Sequence, residues 1–174
     1  ACLLTSGRAL PCKSSVGGLK SVYFCDYGTL GDVTIVAGEI TAVAGTPDFF
    51  KYDIKGSSSL ETAITSSREN GTTFYTQTLN LTLTTLDKAT QEQIKLLSVS
   101  RPHIAVEDYN GNFFLVGLEH GSEVTGGSIA SGATMADASS FSLTFEAMEK
   151  SPANFTVSTV VTANESAAQI DPNA

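Results

Sequence analysis

The sequence predicts a mainly β fold, a β-sandwich or partly open barrel with one flanking α-helix and a long β-hairpin. Alternating apolar and polar runs recur along the chain, two Asn-Gly pairs lie between such runs, and helical periodicity is confined to one segment. The length of 174 residues suits a single domain with its own core. We expect residues 1–18 to form an N-terminal arm or loop and residues 163–174 a flexible tail.

Strands are predicted through the first third of the chain. The runs LKSVYFCDY and DVTIVAGEITAV are rich in β-branched and aromatic residues, which is typical of strands, and Gly28 and Gly31 form the turn between them. The run FFKYDI, after Pro47, is a third strand, which residues 56–59 (GSSS) end as a bulge or short loop.

A long hairpin is predicted over residues 59–83, SLETAITSSRENGTTFYTQTLNLTL. The pair Asn70-Gly71 favours a two-residue type I′ turn, which sets Glu69 opposite Thr72. Opposed residues share a face, so the same register sorts the remaining side chains into two sets.

The two faces of this hairpin differ in chemistry. One is mainly apolar, includes Ile64, and is expected to pack on the core. The other carries Glu61, Ala63, Thr65, Ser67, Glu69, Thr76, Thr78 and Asn80, with Phe74 as its one large side chain. A solvent-facing sheet surface is one explanation, but such surfaces usually carry lysine and arginine. A smooth, mildly acidic face also suits a molecule that slides past without adhering.

Residues 86–99 have helical periodicity and predict the one helix. Thr84, Thr85 or Asp87 is its candidate N-cap, and Pro102 ends it because the residue before a proline avoids helical geometry. The following run, HIAVEDYNGNFFLVGL, predicts a second Asn-Gly hairpin that is apolar on both faces and therefore central.

The last third begins with a Gly- and Ser-rich link over residues 121–138. The run SSFSLTFEAM then alternates, which predicts a strand with a second polar face of Ser142, Thr144 and Glu146. The run NFTVSTVVTAN predicts a final strand.

Composition narrows the classes of function. With 18 acidic against 10 basic residues and a net charge of −8, the chain has no basic cluster for stable binding of nucleic acid through phosphates. No apolar run is long enough to cross a bilayer as a helix, and the N-terminal residues lack the order of a secretory signal. The three cysteines form no Cys-x-x-Cys pair, so we expect reduced thiols and neither a disulfide framework nor a zinc site.

Catalytic and metal-binding motifs are incomplete. The run Gly126–Ala130 lacks the strand-turn-helix setting of a nucleophile elbow, and the two histidines, His103 and His120, belong to no motif. Asp108, Asn110, Asn112 and Glu119 match four EF-hand positions, but the required glycine at position six is Phe113. We therefore expect that the chain is not an enzyme and binds no cofactor.

The second half of the chain resembles the tail tube proteins of bacterial viruses. The pattern is a strand end, a Gly-rich link, an aspartate, an alternating strand and a Glu-x-x-Pro exit: Gly117-Leu118, Gly126-Gly127 with Gly132, Asp137, residues 141–146, and Glu149 with Pro152. With the long hairpin and single helix, the resemblance covers roughly residues 60–155; residues 1–31 match no pattern of that family.

The resemblance implies a structural subunit of the virion tail that forms stacked, hexameric rings in the host cytoplasm. The sheets of neighbouring subunits then form one ring-wide barrel, through which DNA passes without specific binding. The implied partners are further copies of the chain and other tail proteins, with no membrane.

The resemblance also implies roles for particular residues. The candidate lumen residues are Glu61, Ala63, Thr65, Ser67, Glu69, Thr76, Thr78, Asn80, Ser142, Thr144 and Glu146. The candidate inter-subunit loop residues are Phe49, Phe50, Lys51, Asn70 and Gly71. Phe49 and Phe50 are equally compatible with an ordinary core.

Related alternatives are the inner tube of a contractile injection machine and a head-to-tail connector ring. From a different class, a secreted β-sandwich adhesin or carbohydrate-binding module is suggested by the Thr and Ser content and by four Asn-x-Ser/Thr sequons, at Asn70, Asn80, Asn154 and Asn164.

Overall fold

The computed structural model describes residues 3–54 and 58–170, and within them the chain forms two β-sheets and two helices. The mainly β, sandwich-like architecture is confirmed. The strands are β1 (Leu19–Cys25), β2 (Val33–Val36), β3 (Glu39–Val43), β4 (Phe50–Asp53), β5 (Ser59–Ser67), β6 (Thr72–Thr84), β7 (His103–Asp108), β8 (Phe113–Val116), β9 (Glu123–Ala130), β10 (Ser140–Glu149) and β11 (Asn154–Thr156). The helices are α1 (Lys88–Val99) and α2 (Ser158–Thr162).

The larger sheet has seven strands in the order β2-β3-β11-β8-β7-β1-β4, and the smaller has four in the order β5-β6-β10-β9. We call them the large and the small sheet. All pairs are antiparallel except β3 with β11. The described strands close no barrel, because β5 and β9 at the edges of the small sheet pair with one neighbour each.

The main core lies between the two sheets. It joins the inner faces of β1, β7 and β8 to those of β6 and β10, with Ile94 of α1 closing one side. Val22 and Leu79 are 0% exposed. A second core covers the opposite face of the large sheet, where Phe49 and Val161 pack with Ile40 and Leu115.

Helix α1 begins where the sequence predicts. The carboxylate of Asp87, one of the three candidate caps, accepts a hydrogen bond from Thr90 N at 3.1 Å. A cap of this kind satisfies an amide that has no partner inside the helix. The helix ends at Val99, before Pro102, as expected.

The hairpin has the predicted faces but a different turn. Ser67 pairs with Thr72, so residues 68–71 form a four-residue loop rather than the predicted two-residue turn. Only Gly71 of these four has positive φ, 62°, whereas a type I′ turn needs it at both central positions. Each β5 residue therefore pairs two positions away from its predicted partner, and a shift of two leaves every side chain on its predicted face.

The expectation that Ile64 is buried is wrong. Its side chain is 68% exposed although it shares a face with Leu60 and Leu79. Residues 63–66 and 68–74 at the outer end of the hairpin are exposed, so the described part of the chain does not cover Ile64.

Three further expectations are corrected. The run DVTIVAGEITAV is a hairpin, β2 and β3, turning at Ala37-Gly38, where both residues have positive φ. The Gly- and Ser-rich link contains strand β9, which pairs with β10. The final predicted strand is short and leads into helix α2, so the chain has a second helix.

The described C-terminal residues, up to residue 170, are hydrogen-bonded to the large sheet and do not form a free tail. Phe49 N donates to Asn164 O, Ser166 N donates to Phe49 O, and Gln169 Nε2 donates to Asp53 Oδ2 at 3.2 Å. The expected break at residues 56–59 lies largely outside the described residues.

Candidate functional site

The outer face of the small sheet collects the polar residues that the sequence singles out, and we call it the polar face. Cross-strand pairing places opposed residues on one side, so the strand registers define its members. They are Ser59, Glu61, Ala63, Thr65 and Ser67; Thr72, Phe74, Thr76, Thr78, Asn80, Thr82 and Thr84; Ser140, Ser142, Thr144, Glu146 and Met148; and Glu123, Gly126, Ser128 and Ala130. The inner-face neighbours Leu79, Leu81, Leu143 and Phe145 are buried.

Three glutamates lie in one row across the polar face. Glu61 pairs with Thr78, Thr78 with Glu146, and Glu146 with Glu123. None of the three has a salt-bridge partner among the described residues, and β5, β6, β9 and β10 contain no lysine or arginine. The row therefore gives the face a negative potential that no cation on its own strands offsets.

Glu123 was not predicted from the sequence. It lies at the start of β9, inside the segment expected to be a link, and only the pairing of β9 with β10 brings it into the row. The only signal for Glu123 in the sequence is that a carboxylate precedes the alternating polar strand, and such a signal is not specific.

One hydroxyl of the polar face is bound to a neighbouring strand, because Thr144 Oγ1 donates to Asn80 Oδ1 at 3.2 Å. The remaining polar side chains of the face are small serines and threonines, apart from the glutamates. Such side chains present few charged or flexible groups to a passing molecule. Two larger apolar residues interrupt the face: Phe74 is 36% exposed and Met148 is 56% exposed.

Among the described residues, neither edge strand of the small sheet has a second paired strand, so we call both edges open. Strand β5 has nine residues, Ser59–Ser67, without proline, lysine or an irregularity in its register. Edge strands of monomeric proteins usually carry such features, because unpaired backbone groups otherwise recruit another strand. Strand β9, at the other edge, is eight residues long and has a register shift opposite Thr144 and Phe145.

The predicted lumen residues are brought together with one exception. All lie on the polar face except Glu69, which belongs to the hairpin turn. Their spacing along two separate runs was enough to place them, because alternation has a period of two in any strand.

The predicted inter-subunit residues are not brought together. Phe49 is 0% exposed and belongs to the second core, so its assignment to a contact loop is wrong and the core alternative holds. Phe50 is 39% exposed on β4, with Lys51 half-buried beside it. Asn70 and Gly71 are exposed at the tip of the hairpin.

One side-chain group has the composition of a metal site. Ligand atoms of Glu119, His120 and Glu149 lie within 4.8 Å of one another. Glu149 is 4% exposed, and its Oε1 accepts hydrogen bonds from Glu119 N at 3.1 Å and His120 N at 2.9 Å. Lys150 Nζ lies 3.4 Å from Glu119 Oε1 and would compete with a cation there. The buried carboxylate is accounted for by its role in holding this turn.

His103 and Cys25 pair with each other at one end of β7 and β1, and both are buried structural residues. His103 Nδ1 lies 2.6 Å from Gly117 O, Gly28 N donates to His103 Nε2 at 3.2 Å, and burial lowers the pKa of His103 below its usual value. Burial raises the pKa of the Cys25 thiol to about 12, so this thiol is not a nucleophile at neutral pH.

A scan against protein-family models, a search of curated proteins and a search of solved structures each gave no match to this chain. In the described part of the chain, neither helix has the length and apolar character that crossing a membrane requires.

Proposed function

We propose that this chain is a structural, non-enzymatic subunit of a viral tail tube that assembles into stacked rings around a DNA-conducting lumen. The observation that carries the proposal is the small sheet, which combines two open edges with a polar face free of basic residues. The resemblance of the second half of the sequence to tail tube proteins supports the same function.

The strand directions suit ring closure. Successive antiparallel pairs along β5-β6-β10-β9 make β5 and β9 run in opposite directions. When copies are placed side by side around an axis, β9 of one copy meets β5 of the next in antiparallel orientation. Every copy then gives one edge and receives the other; this is a heterologous contact, the kind that forms a ring when the rotation between copies closes.

The size of the resulting barrel fits a conduit. Four strands from each of six copies exceed the roughly 16 to 18 strands at which known barrels enclose an aqueous channel. With the apolar core on the outer side of the ring, the polar face lines the channel.

The charge of that lining opposes adhesion of DNA. Glu61, Glu123 and Glu146 in every copy form a negative band around the lumen. Lysine or arginine at these positions would neutralise phosphates and release counterions, and this release drives non-specific DNA binding. A lining of carboxylates and small hydroxyl residues lets DNA pass.

Electron microscopy of the concentrated protein, with size-exclusion chromatography, tests the proposal. We expect rings or tubes, and in projection they also distinguish a tail tube from a connector ring. A chain that stays monomeric and binds defined sugars on a glycan array would instead support the carbohydrate-binding alternative and overturn the proposal.

A further inference from the structure

Residues 3–18, which we call the arm, form no helix or strand and bury none of their side chains on the rest of the chain. Every residue is exposed, and Leu3, Leu4 and Leu10 are 81%, 99% and 96% exposed. The arm is anchored at its C-terminal end, where Val16 N donates to Asn110 Oδ1 at 3.0 Å and Asn110 Nδ2 donates to Val16 O at 2.7 Å. Three leucines on one solvent-exposed segment are more apolar surface than a free segment needs.

A groove opens beside this anchor. Its volume is about 330 Å³, and it lies between β5 of the small sheet and β8 of the large sheet. Leu60 and Thr62 line one wall, Phe114 and Ala153 the other, and the end of the arm forms the rim. Leu60 and Phe114 belong to the margin of the main core and are only partly buried, so the groove gives solvent access to apolar side chains.

An apolar strip continues from the groove along the large sheet. Val106 pairs with Phe114, Phe114 with Phe155, and Phe155 with Glu39, which in turn pairs with Val36. All five therefore share one face. Val106 is 0% exposed in the main core, whereas Phe155 and Val36 are 49% and 58% exposed.

The arm and the groove have complementary charge. The arm carries Arg8 and Lys13 and no acidic residue, so the remaining residues hold all 18 acids against eight of the ten bases. Asp108 lines the groove, Glu39 lies on the apolar strip, and neither has a salt-bridge partner among the described residues. No lysine or arginine among the described residues lines the groove.

We propose that the arm of one copy docks in the groove and along the apolar strip of a second copy, with its leucines on Leu60, Phe114 and Phe155 and its two cations near Asp108 and Glu39. In its own chain the arm only forms the rim of the groove, and residues 3–15 lead away from it. Thirteen extended residues reach about 40 Å, enough to span to a neighbour. This inference rests on the self-association of the proposed function, but it does not require a tube.

Disulfide trapping between two differently tagged chains tests which surfaces meet. The first chain carries Cys2→Ser and keeps Cys12, which is exposed on the arm. The second carries Cys2→Ser, Cys12→Ser and Thr62→Cys in the groove. Cys25 is buried and does not compete. Diamide, which removes two electrons and two protons per disulfide, is expected to link the two chains.

The matched control places the cysteine at Thr65→Cys, on the same strand but on the polar face. A mixture with this chain is expected to give at least tenfold less of the linked product. Equal yields from Thr62→Cys and Thr65→Cys would overturn the proposal.

Leu10→Asp and Ser6→Asp add the same charge to the arm, and both sites are exposed, so neither affects folding of the single chain. Leu10→Asp is expected to raise the dissociation constant for self-association tenfold or more, and Ser6→Asp much less, as measured by sedimentation velocity.

The outcomes separate the two proposals. Tubes that form equally well from the wild type, Leu10→Asp and Ser6→Asp chains would exclude arm docking and leave the tube proposal standing. Arm-linked pairs without rings would support arm docking and exclude the tube. A monomeric wild type at all concentrations would overturn both.

Discussion

Gly127 on β9 lies so close to β10 that a Cβ added to it would overlap the carbonyl oxygen of Ser142 and stand 3.1 Å from Leu143 Cα. The glycine also has a φ of 150°, which L residues rarely adopt. The neighbouring Gly126 has nothing within 4 Å of its Cβ position. The smallest residue is therefore needed at one of two adjacent positions, and it holds edge strand β9 on the small sheet.

We expect Gly127→Ala to destabilise the chain by about 2 kcal/mol or more, because a clash with backbone cannot be relieved by moving a side chain. Gly126→Ala is the matched control and should change stability by less than about 1 kcal/mol. Urea unfolding curves of the two variants give the comparison. Equal midpoints would mean that β9 adjusts freely and is not fixed by this close approach.

The inner face of the hairpin provides a second prediction. Leu79 is 0% exposed in the main core and Ile64 is 68% exposed on the same face. Leu79→Ala should cost about 2–5 kcal/mol, whereas Ile64→Ala should cost less than about 1 kcal/mol in the monomer. Chemical denaturation at low protein concentration measures both. A large loss for Ile64→Ala under these conditions would show that the hairpin tip is covered within the chain.

The β2–β3 hairpin contains a residue that is poorly suited to its conformation. Ala37 has a φ of 53° and precedes Gly38, with a φ of 82°, as in a type I′ turn. Because asparagine tolerates this region better than alanine, Ala37→Asn should stabilise the chain by up to about 1 kcal/mol. The control Ala42→Asn, in the middle of β3, should not stabilise it. Thermal unfolding of the two variants is the measurement, and an unchanged or lower melting temperature for Ala37→Asn contradicts the prediction.

Burial of His103 gives the stability a pH dependence. Its folded pKa is lowered, mainly by burial, so the folded state resists protonation while the unfolded state takes up a proton near pH 6.5. This contribution is fully present above pH 6.5 and is lost as the pH falls from 6.5 towards the folded pKa. The free energy of unfolding should therefore decrease over that window more steeply in the wild type than in His103→Gln. His120→Gln, at an exposed site, is the control and should keep the wild-type slope. Parallel curves for wild type and His103→Gln would contradict the assignment.

The sequence identified the faces of the small sheet more reliably than its edges and ends. Alternation is local, so Glu61 and Glu146 fell on the correct face although the turn was two residues longer than predicted. Strand β9 was missed because Gly126 and Gly127 disfavour a strand locally and only pairing with β10 forms it. The exposure of Ile64 and the burial of Phe49 depend on where another layer begins and ends, which no short stretch of sequence contains.

Charge reversal on the polar face tests the proposed lumen directly. Glu61 and Glu146 flank Thr78, and both side chains are at least partly exposed. Glu61→Lys with Glu146→Lys should therefore leave folding and tube assembly intact. The lining then changes by four charges per copy, and tubes should retain DNA in gel-shift and co-sedimentation assays at low salt, with affinity that falls as salt rises.

The control for this pair is Glu92→Lys with Asp48→Lys, which makes the same change of charge on exposed residues of α1 and of the segment before Phe49. These positions lie outside the strands of the polar face, so any DNA retention by them reports total charge alone. If both double variants retain DNA equally, the polar face does not line the channel. Retention specific to Glu61→Lys with Glu146→Lys requires DNA to reach the row of glutamates, because screening limits their effect to about 10 Å in 0.1 M salt.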